Sequence, residues 1–205
     1  MKYFGQSAQD LFVLKCLNFK LNGTFLEIGS NHPININNTY ILETRYDWKG
    51  IMVEYTDDFT ELYKAHRPNS YHLIQDATRI KFLDEFKKID MPAAIDYLQI
   101  DLEVNNRSTI STLENLDTQV MDTHKFAVVT FEHDIYKGDF FSTREISRSI
   151  FDRRGYLRVF SDVMNSNNPY EDWYVHPDLV SMDYINKIKR VDSIEYTDIV
   201  KILNE

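Results

Sequence analysis

Short apolar runs alternate with amphipathic stretches along most of this chain. Ala8 opens a helical pattern with Leu11, Phe12, Cys16 and Phe19 close to one face. Asn22-Gly23 stops it, and the apolar run Thr24 to Gly29 reads as a first strand. A helix is predicted over residues 37–46 and a second strand over Ile51 to Glu54. The next helix begins at Asp57-Asp58, where acids suit the helix dipole, and stops at Arg67-Pro68. Tyr71 to Gln75 is strand three, followed by Asp76, and a helix from Lys81 to Lys88 leads to strand four, which ends at Ile100-Asp101. Ser108 is placed to cap the helix after it, with Ile110, Leu113 and Leu116 inward. Strand five is Phe126 to Glu132, and a helix from Ser142 to Arg154 is closed by Gly155.

The order then changes. Tyr156 to Val163 and Asp172 to Val175 read as strands joined by the polar loop Asn165 to Pro169, too short to hold a crossover helix, so the pair is antiparallel. Five βα-type strands followed by a terminal hairpin predict a Rossmann-like doubly wound α/β fold. Its sheet is mostly parallel and seven-stranded, with helices on both faces. No repeat, low-complexity tract or flexible linker interrupts the pattern, so residues 1–205 are read as a single domain. The tail from Ser181, with Ile185, Ile188, Ile199 and Ile202, packs on that domain or on a partner subunit of a homo-oligomer.

Composition narrows the function. Hydrophobic residues make up 43% and charged residues 27%, ordinary for a globular protein. The net charge of −9 opposes binding to phosphate backbones, so nucleic acid is a poor partner. One cysteine, Cys16, excludes an intrachain disulfide and, between Leu14 and Leu17, reads as a buried thiol. The polar N-terminal decapeptide is unlike a signal peptide, and no apolar run approaches the roughly 20 residues of a membrane span. A cytoplasmic location is expected, in a bacterium or in a host cell if the gene is viral.

In open α/β sheets ligands bind beyond the carboxyl ends of the strands. Three such ends carry suitable groups: Glu27, Gly29 and Asn31 after strand one, Glu54 after strand two, and Asp76 with Ala77 after strand three. An acid after strand two accepts the hydroxyls of a ribose, in adenosylmethionine or in NAD. NAD needs a turn rich in glycine to close on its pyrophosphate, and this turn has Gly29 alone. S-adenosylmethionine has no pyrophosphate and carries cationic groups that acids such as Glu27 and Asp101 suit. Asp76 is placed to take the adenine amino group.

Together Glu27-Ile28-Gly29-Ser30-Asn31, Asn38-Thr39, Leu42-Glu43, Trp48-Lys49-Gly50-Ile51 and Val53-Glu54 resemble the FkbM family of class I methyltransferases. Gln9-Asp10-Leu11 and Asp101 also match that pattern, and Glu132-His133-Asp134-Ile135-Tyr136, Arg154-Gly155-Tyr156 and Tyr170 to Pro177 resemble a subgroup. The resemblance implies S-adenosylmethionine-dependent methyl transfer to an oxygen, often on a sugar or polyketide-type molecule. A departure is the run Asp101-Leu102-Glu103-Val104-Asn105-Asn106, which lacks the glycine and second acid that many members have there.

An alcohol is a weak nucleophile, so a base or a metal is expected beside it. His133 is the general-base candidate, because its unperturbed pKa lies near operating pH, and Asp101 stands at the adjacent strand end. Asp101, Glu132 and Asp134 form a candidate Mg2+ site or bind a polyol directly. Glu171, Asp172, Trp173 and His176 are candidates for the acceptor pocket, with Trp173 either a stacking face or a core residue. The leading expectation is an O-methyltransferase acting on a glycan or small polar metabolite. A non-catalytic nucleoside- or glycan-binding module and an NAD-dependent oxidoreductase are the alternatives.

Overall fold

The computed structural model describes residues 2–205. Eight strands, β1 (Thr24–Ile28), β2 (Lys49–Glu54), β3 (Tyr71–Ile74), β4 (Ala94–Ile100), β5 (Lys125–Glu132), β6 (Leu157–Asn165), β7 (Asn168–Val175) and β8 (Arg190–Glu195), form one sheet. Eight helices accompany them: α1 (Gln9–Cys16), α2 (Tyr40–Tyr46), α3 (Thr60–His66), α4 (Phe82–Lys88), α5 (Ser108–Gln119), α6 (Phe141–Arg153), α7 (Met182–Ile188) and α8 (Tyr196–Asn204). The strand order is β3-β2-β1-β4-β5-β7-β6-β8. Strands β1 to β5 are parallel, β7 is antiparallel to β5 and to β6, and β8 runs parallel to β6. The sheet is doubly wound from β1, with a reversed strand inserted beside β5.

Two apolar layers sandwich the sheet. On one face Phe25, Tyr97, Trp173 and Phe160 pack against Phe12 of α1 and Ile199 and Leu203 of α8. On the other, Leu26, Ile28, Leu98, Ile100 and Phe131 pack against Phe86 of α4, Leu113 of α5 and Phe151 of α6. The alternation of side chains along a strand creates both layers at once. It also places Glu27, Gln99, Thr130 and Glu132 in line on the first face, where Glu27 pairs with Gln99 and Gln99 with Thr130. That face turns from apolar to polar toward the carboxyl ends of the central strands.

Four expectations are corrected. The sheet has eight strands rather than seven, because the tail contributes β8 after α7. Ile185, Ile188 and Ile199 of this tail are buried within the same chain. Ser108 is the first residue of α5 and not its cap; Arg107, with φ 66°, precedes it, and Asn106 Oδ1 accepts the Ser108 N–H. Phe19 lies beyond the end of α1 and is exposed, whereas α1 itself is buried on almost every side, Lys15 excepted. The β6–β7 loop is also tighter than the sequence predicts. Strands continue to Asn165 and from Asn168, joined by Ser166 and Asn167 at φ 56° and 65°, the double positive φ of a type I′ turn. Among the described residues no helix is long and apolar enough to cross a membrane.

Candidate functional site

A cleft of about 810 Å³ opens over the carboxyl ends of β1 to β5, within the range of small-molecule sites. Glu27, Gly29, Asn31, Glu54, Asp76, Ala77 and Asp101, the residues expected at the cofactor, all line it. Gly29 is required there. Its φ is +83°, and a Cβ would stand 1.7 Å from the Asp101 carbonyl oxygen, so only glycine lets the β1 turn close on the end of β4.

Each acid is held differently. Glu54 accepts from two backbone amides, Asn31 N at 2.7 Å and Tyr55 N at 2.8 Å, which fix its carboxylate at the rim. Asp76 accepts from Thr78 N at 3.0 Å and Thr78 Oγ1 at 2.7 Å, so part of its capacity is spent capping the short 3-10 helix Ala77–Arg79. These bonds, led by the Thr78 hydroxyl, hold the Asp76 carboxyl below its ordinary range. Glu27 is 1% exposed. Burial raises its pKa to about 7, opposed by Arg67 and by hydrogen bonds from Thr39 and Asn37.

At the β4 and β5 ends, Asp101, Glu132 and Asp134 share the cleft wall with Lys137, a residue the sequence reading passed over. The chain turns at Asp134, φ 50°, and so brings it round to the side of Glu132. Lys137 Nζ binds the Asp134 carboxylate and stands 3.9 Å from Glu132 Oε1. Burial, followed by the neighbouring Asp101 and Asp134, drives the Glu132 pKa far up. Burial raises Asp101 as well. Two buried acceptors of the cleft, Gln99 Oε1 and Asp134 Oδ1, have no hydrogen-bond partner among the described residues. Seven carboxyl groups face this space against one lysine. Such a wall suits a ligand that donates hydrogen bonds and carries positive charge.

The metal expectation fits less well. A basic side chain already stands between Asp134 and Glu132, where a divalent ion would have to bind. Among the described residues, the three-residue set whose ligand atoms lie within 4.8 Å of one another is instead His133, Asp162 and Asp172. Those oxygens are taken by arginine: Arg148 reaches Asp172 at 2.7 and 2.9 Å and Asp162 at 3.0 Å, and Arg144 reaches Asp162 at 3.1 Å.

The expected acceptor residues lie elsewhere. His133 is fully buried, with Nε2 3.4 Å from Asp162 and 3.7 Å from Asp172, charge contacts outside hydrogen-bond geometry. Against burial, these two carboxylates raise its pKa. It does not line the cleft, because alternation along β5 sends it to the face opposite Glu132. Asp172 follows it there and binds Arg148. Trp173 is a core residue, packed on Phe12 and Phe160 and donating to Glu171, whose carboxylate also accepts from Gln9 Nε2 at 3.1 Å. His176 lies at the far end of the sheet, its amide bonded to Ala127 O, because β7 runs antiparallel and starts, rather than ends, at the cleft. The signal that could have found Lys137 is its spacing of three from Asp134 in a turn.

No protein-family model matches this sequence, and no curated protein does. Solved structures do match. A TehB-like SAM-dependent methyltransferase from Corynebacterium glutamicum is 9% identical, with a TM-score of 0.52 over 82% of this chain and 87% of its own. A protein provisionally named an rRNA methylase, from Clostridium thermocellum, is 11% identical, with a TM-score of 0.53 over 86% and 99%. SMU.1697c from Streptococcus mutans, solved in complex with SAH, is 8% identical, with a TM-score of 0.52 over 85% and 98%. At such identities the likeness establishes the fold.

Proposed function

We infer that the chain is an S-adenosylmethionine-dependent O-methyltransferase of FkbM type, acting on a hydroxyl of a sugar, glycan or other small polar molecule. The observation that carries this reading is the acidic cleft at the carboxyl ends of β1 to β5, closed by a single-glycine turn and rimmed by the doubly anchored Glu54. Ligands that donate hydrogen bonds and carry positive charge suit it, and a pyrophosphate does not.

Bound there, S-adenosylmethionine supplies an electrophilic methyl carbon on a sulfonium. The chain's own residues bind, orient and take up a proton. Glu54 accepts from the ribose hydroxyls, Glu27 faces the ammonium, and the Asp76–Ala77 segment borders the adenine. Asp101 replaces His133 as the base, because it lines the cleft and His133 does not. Glu132 keeps its proton and donates to Asp101, while Lys137 offsets the charge of Asp134. Asp101 thus receives the proton of the acceptor hydroxyl, and the unpartnered Asp134 Oδ1 accepts from a neighbouring hydroxyl. We read Asp101 and Asp134 as hydrogen-bond acceptors and Glu132 as a donor, and route no step through Mg2+.

Incubation with methyl-labelled S-adenosylmethionine and a panel of neutral sugars and polyols tests this reading. Label transfer is expected, reduced at least about a hundredfold in Asp101→Asn. Undiminished transfer in that variant would remove Asp101 from the mechanism. Cofactor binding without transfer to any acceptor would favour a non-catalytic module on the same fold.

A further inference from the structure

Arg67 lies just beyond α3, 1% exposed, with no route to the cleft. Four of the five N–H donors of its guanidinium are nevertheless engaged. Nε donates to Glu43 Oε2 at 2.8 Å, Nη1 to Pro33 O at 3.2 Å and Asn37 Oδ1 at 2.8 Å, and Nη2 to Thr39 Oγ1 at 2.6 Å. Two of these acceptors reach on to the cleft. Thr39 Oγ1 donates to Glu27 Oε2 at 2.7 Å, and Asn37 Nδ2 donates to the same oxygen at 3.2 Å and to Ser30 O at 3.1 Å.

The direction of these bonds follows from chemistry. A guanidinium only donates. Thr39 must therefore accept from Arg67, and its one hydrogen goes to Glu27 Oε2 at 2.7 Å in preference to the longer contact with Asn37 Oδ1 at 3.3 Å. Asn37 must turn its oxygen to Arg67, which turns its amide nitrogen to Glu27. Both neighbours of Glu27 Oε2 are thus set as donors by a residue that never touches the cleft. Donors on both sides favour a carboxylate over a carboxylic acid.

We propose that Arg67 is a positioning residue for the cofactor, which acts through Thr39 and Asn37 to aim Glu27 into the cleft and hold it as the anion that a cationic ligand requires. This rests on the cofactor reading above. The groups that face Glu27 are the Arg67 guanidinium and the Tyr63 and Tyr97 phenols, and Glu43 balances Arg67 from α2. Neither phenol ionises near neutrality, since burial raises both. Glu27 is left as the group in this network that titrates close to pH 7. An ammonium that binds the carboxylate must displace its proton. Cofactor affinity then falls on acidification below about pH 7, by close to tenfold per pH unit.

Calorimetry of S-adenosylmethionine binding to the purified protein tests this, in two buffers of different ionisation enthalpy between pH 5.5 and 7.0. That window lies below the α-amino range of about 7.7–8.0. Wild type is expected to release close to one proton at the acid end. Thr39→Val, which removes one donor without changing shape, moves the affinity inflection to higher pH, and Arg67→Lys, which keeps charge but not the fork, moves it the same way. Glu27→Gln abolishes the proton release. Binding without proton release, or an inflection unmoved in Thr39→Val, would overturn the relay and leave the cofactor reading standing. Absence of binding at every pH would overturn both.

Discussion

At Gly29 the backbone and the cleft constrain one another, because the β1 turn passes directly under the Asp101 carbonyl. Gly29→Ala is expected to destabilise by about 2–3 kcal/mol, through strain at positive φ and collision with backbone, seen as a lower midpoint in chemical denaturation. Glu171 makes the opposite case. Burial, opposed by Trp173 and Gln9, raises its pKa to about 8, above its ordinary value of 4.5. A raised carboxyl contributes stability below the unfolded pKa and loses it as pH rises through the folded one, here between about 4.5 and 8. Glu171→Gln has no such loss, so its melting temperature should gain on wild type as pH goes from 5 to 8.5; parallel curves would contradict the shift. Asp162 has the reverse sign. Burial would raise it, yet His133 and Arg148 hold it at about 2, so its contribution is complete above pH 4 and vanishes as pH falls toward 2. Residue identity at strand ends was readable from the sequence for Glu27, Glu54 and Asp101, because a strand's end fixes where its last side chain stands. For His133 it was not, since adjacent residues of β5 face opposite sides of the sheet and a sequence motif does not record which side is the cleft.

At the scale of elements, the parallel strands and their helices lie close to where the apolar pattern puts them, since each strand is a short, bounded run covered on both faces. The hairpin shows what the pattern misses. The five residues Asn165 to Pro169 read as a loop, but three of them extend the ladder and two form its turn, and the twist of the strands selects a two-residue connection. Asn167→Gly, at φ 65°, should therefore be tolerated or stabilise by up to about 1 kcal/mol, measured by thermal unfolding; clear destabilisation would contradict the turn assignment. The tail was legible as apolar but not as strand, because β8 is exposed, charged and irregularly paired, with little alternation to read. Helix α8, in contrast, seals the first apolar layer through Ile199 and Leu203. Ile199→Ala should destabilise by about 2–4 kcal/mol, a loss that an unpacked tail would not show.

Across the whole molecule, parallel strands point their carboxyl ends at one edge of the sheet, and the acids at those ends collect in one cleft. The reversed β7 breaks the rule. Its amino end meets the cleft, so Glu171 pairs with Glu132 there while His176 is carried to the opposite edge. That reversal explains why the acceptor residues predicted near residue 176 stand away from the cleft while the residues predicted at the cofactor line it together. For Lys137 the sequence offers a spacing of three from Asp134, but that spacing gains its meaning from a turn at Asp134 that no periodicity announces. The central claim is that the cleft takes S-adenosylmethionine with Glu54 at its ribose. Calorimetric titration with S-adenosylmethionine of wild type and Glu54→Ala at pH 7.5 tests it most directly. The account predicts saturable binding to wild type, weakened at least about tenfold by the substitution, a loss of roughly 1.4 kcal/mol. No binding to wild type, or equal affinity in the variant, would contradict it.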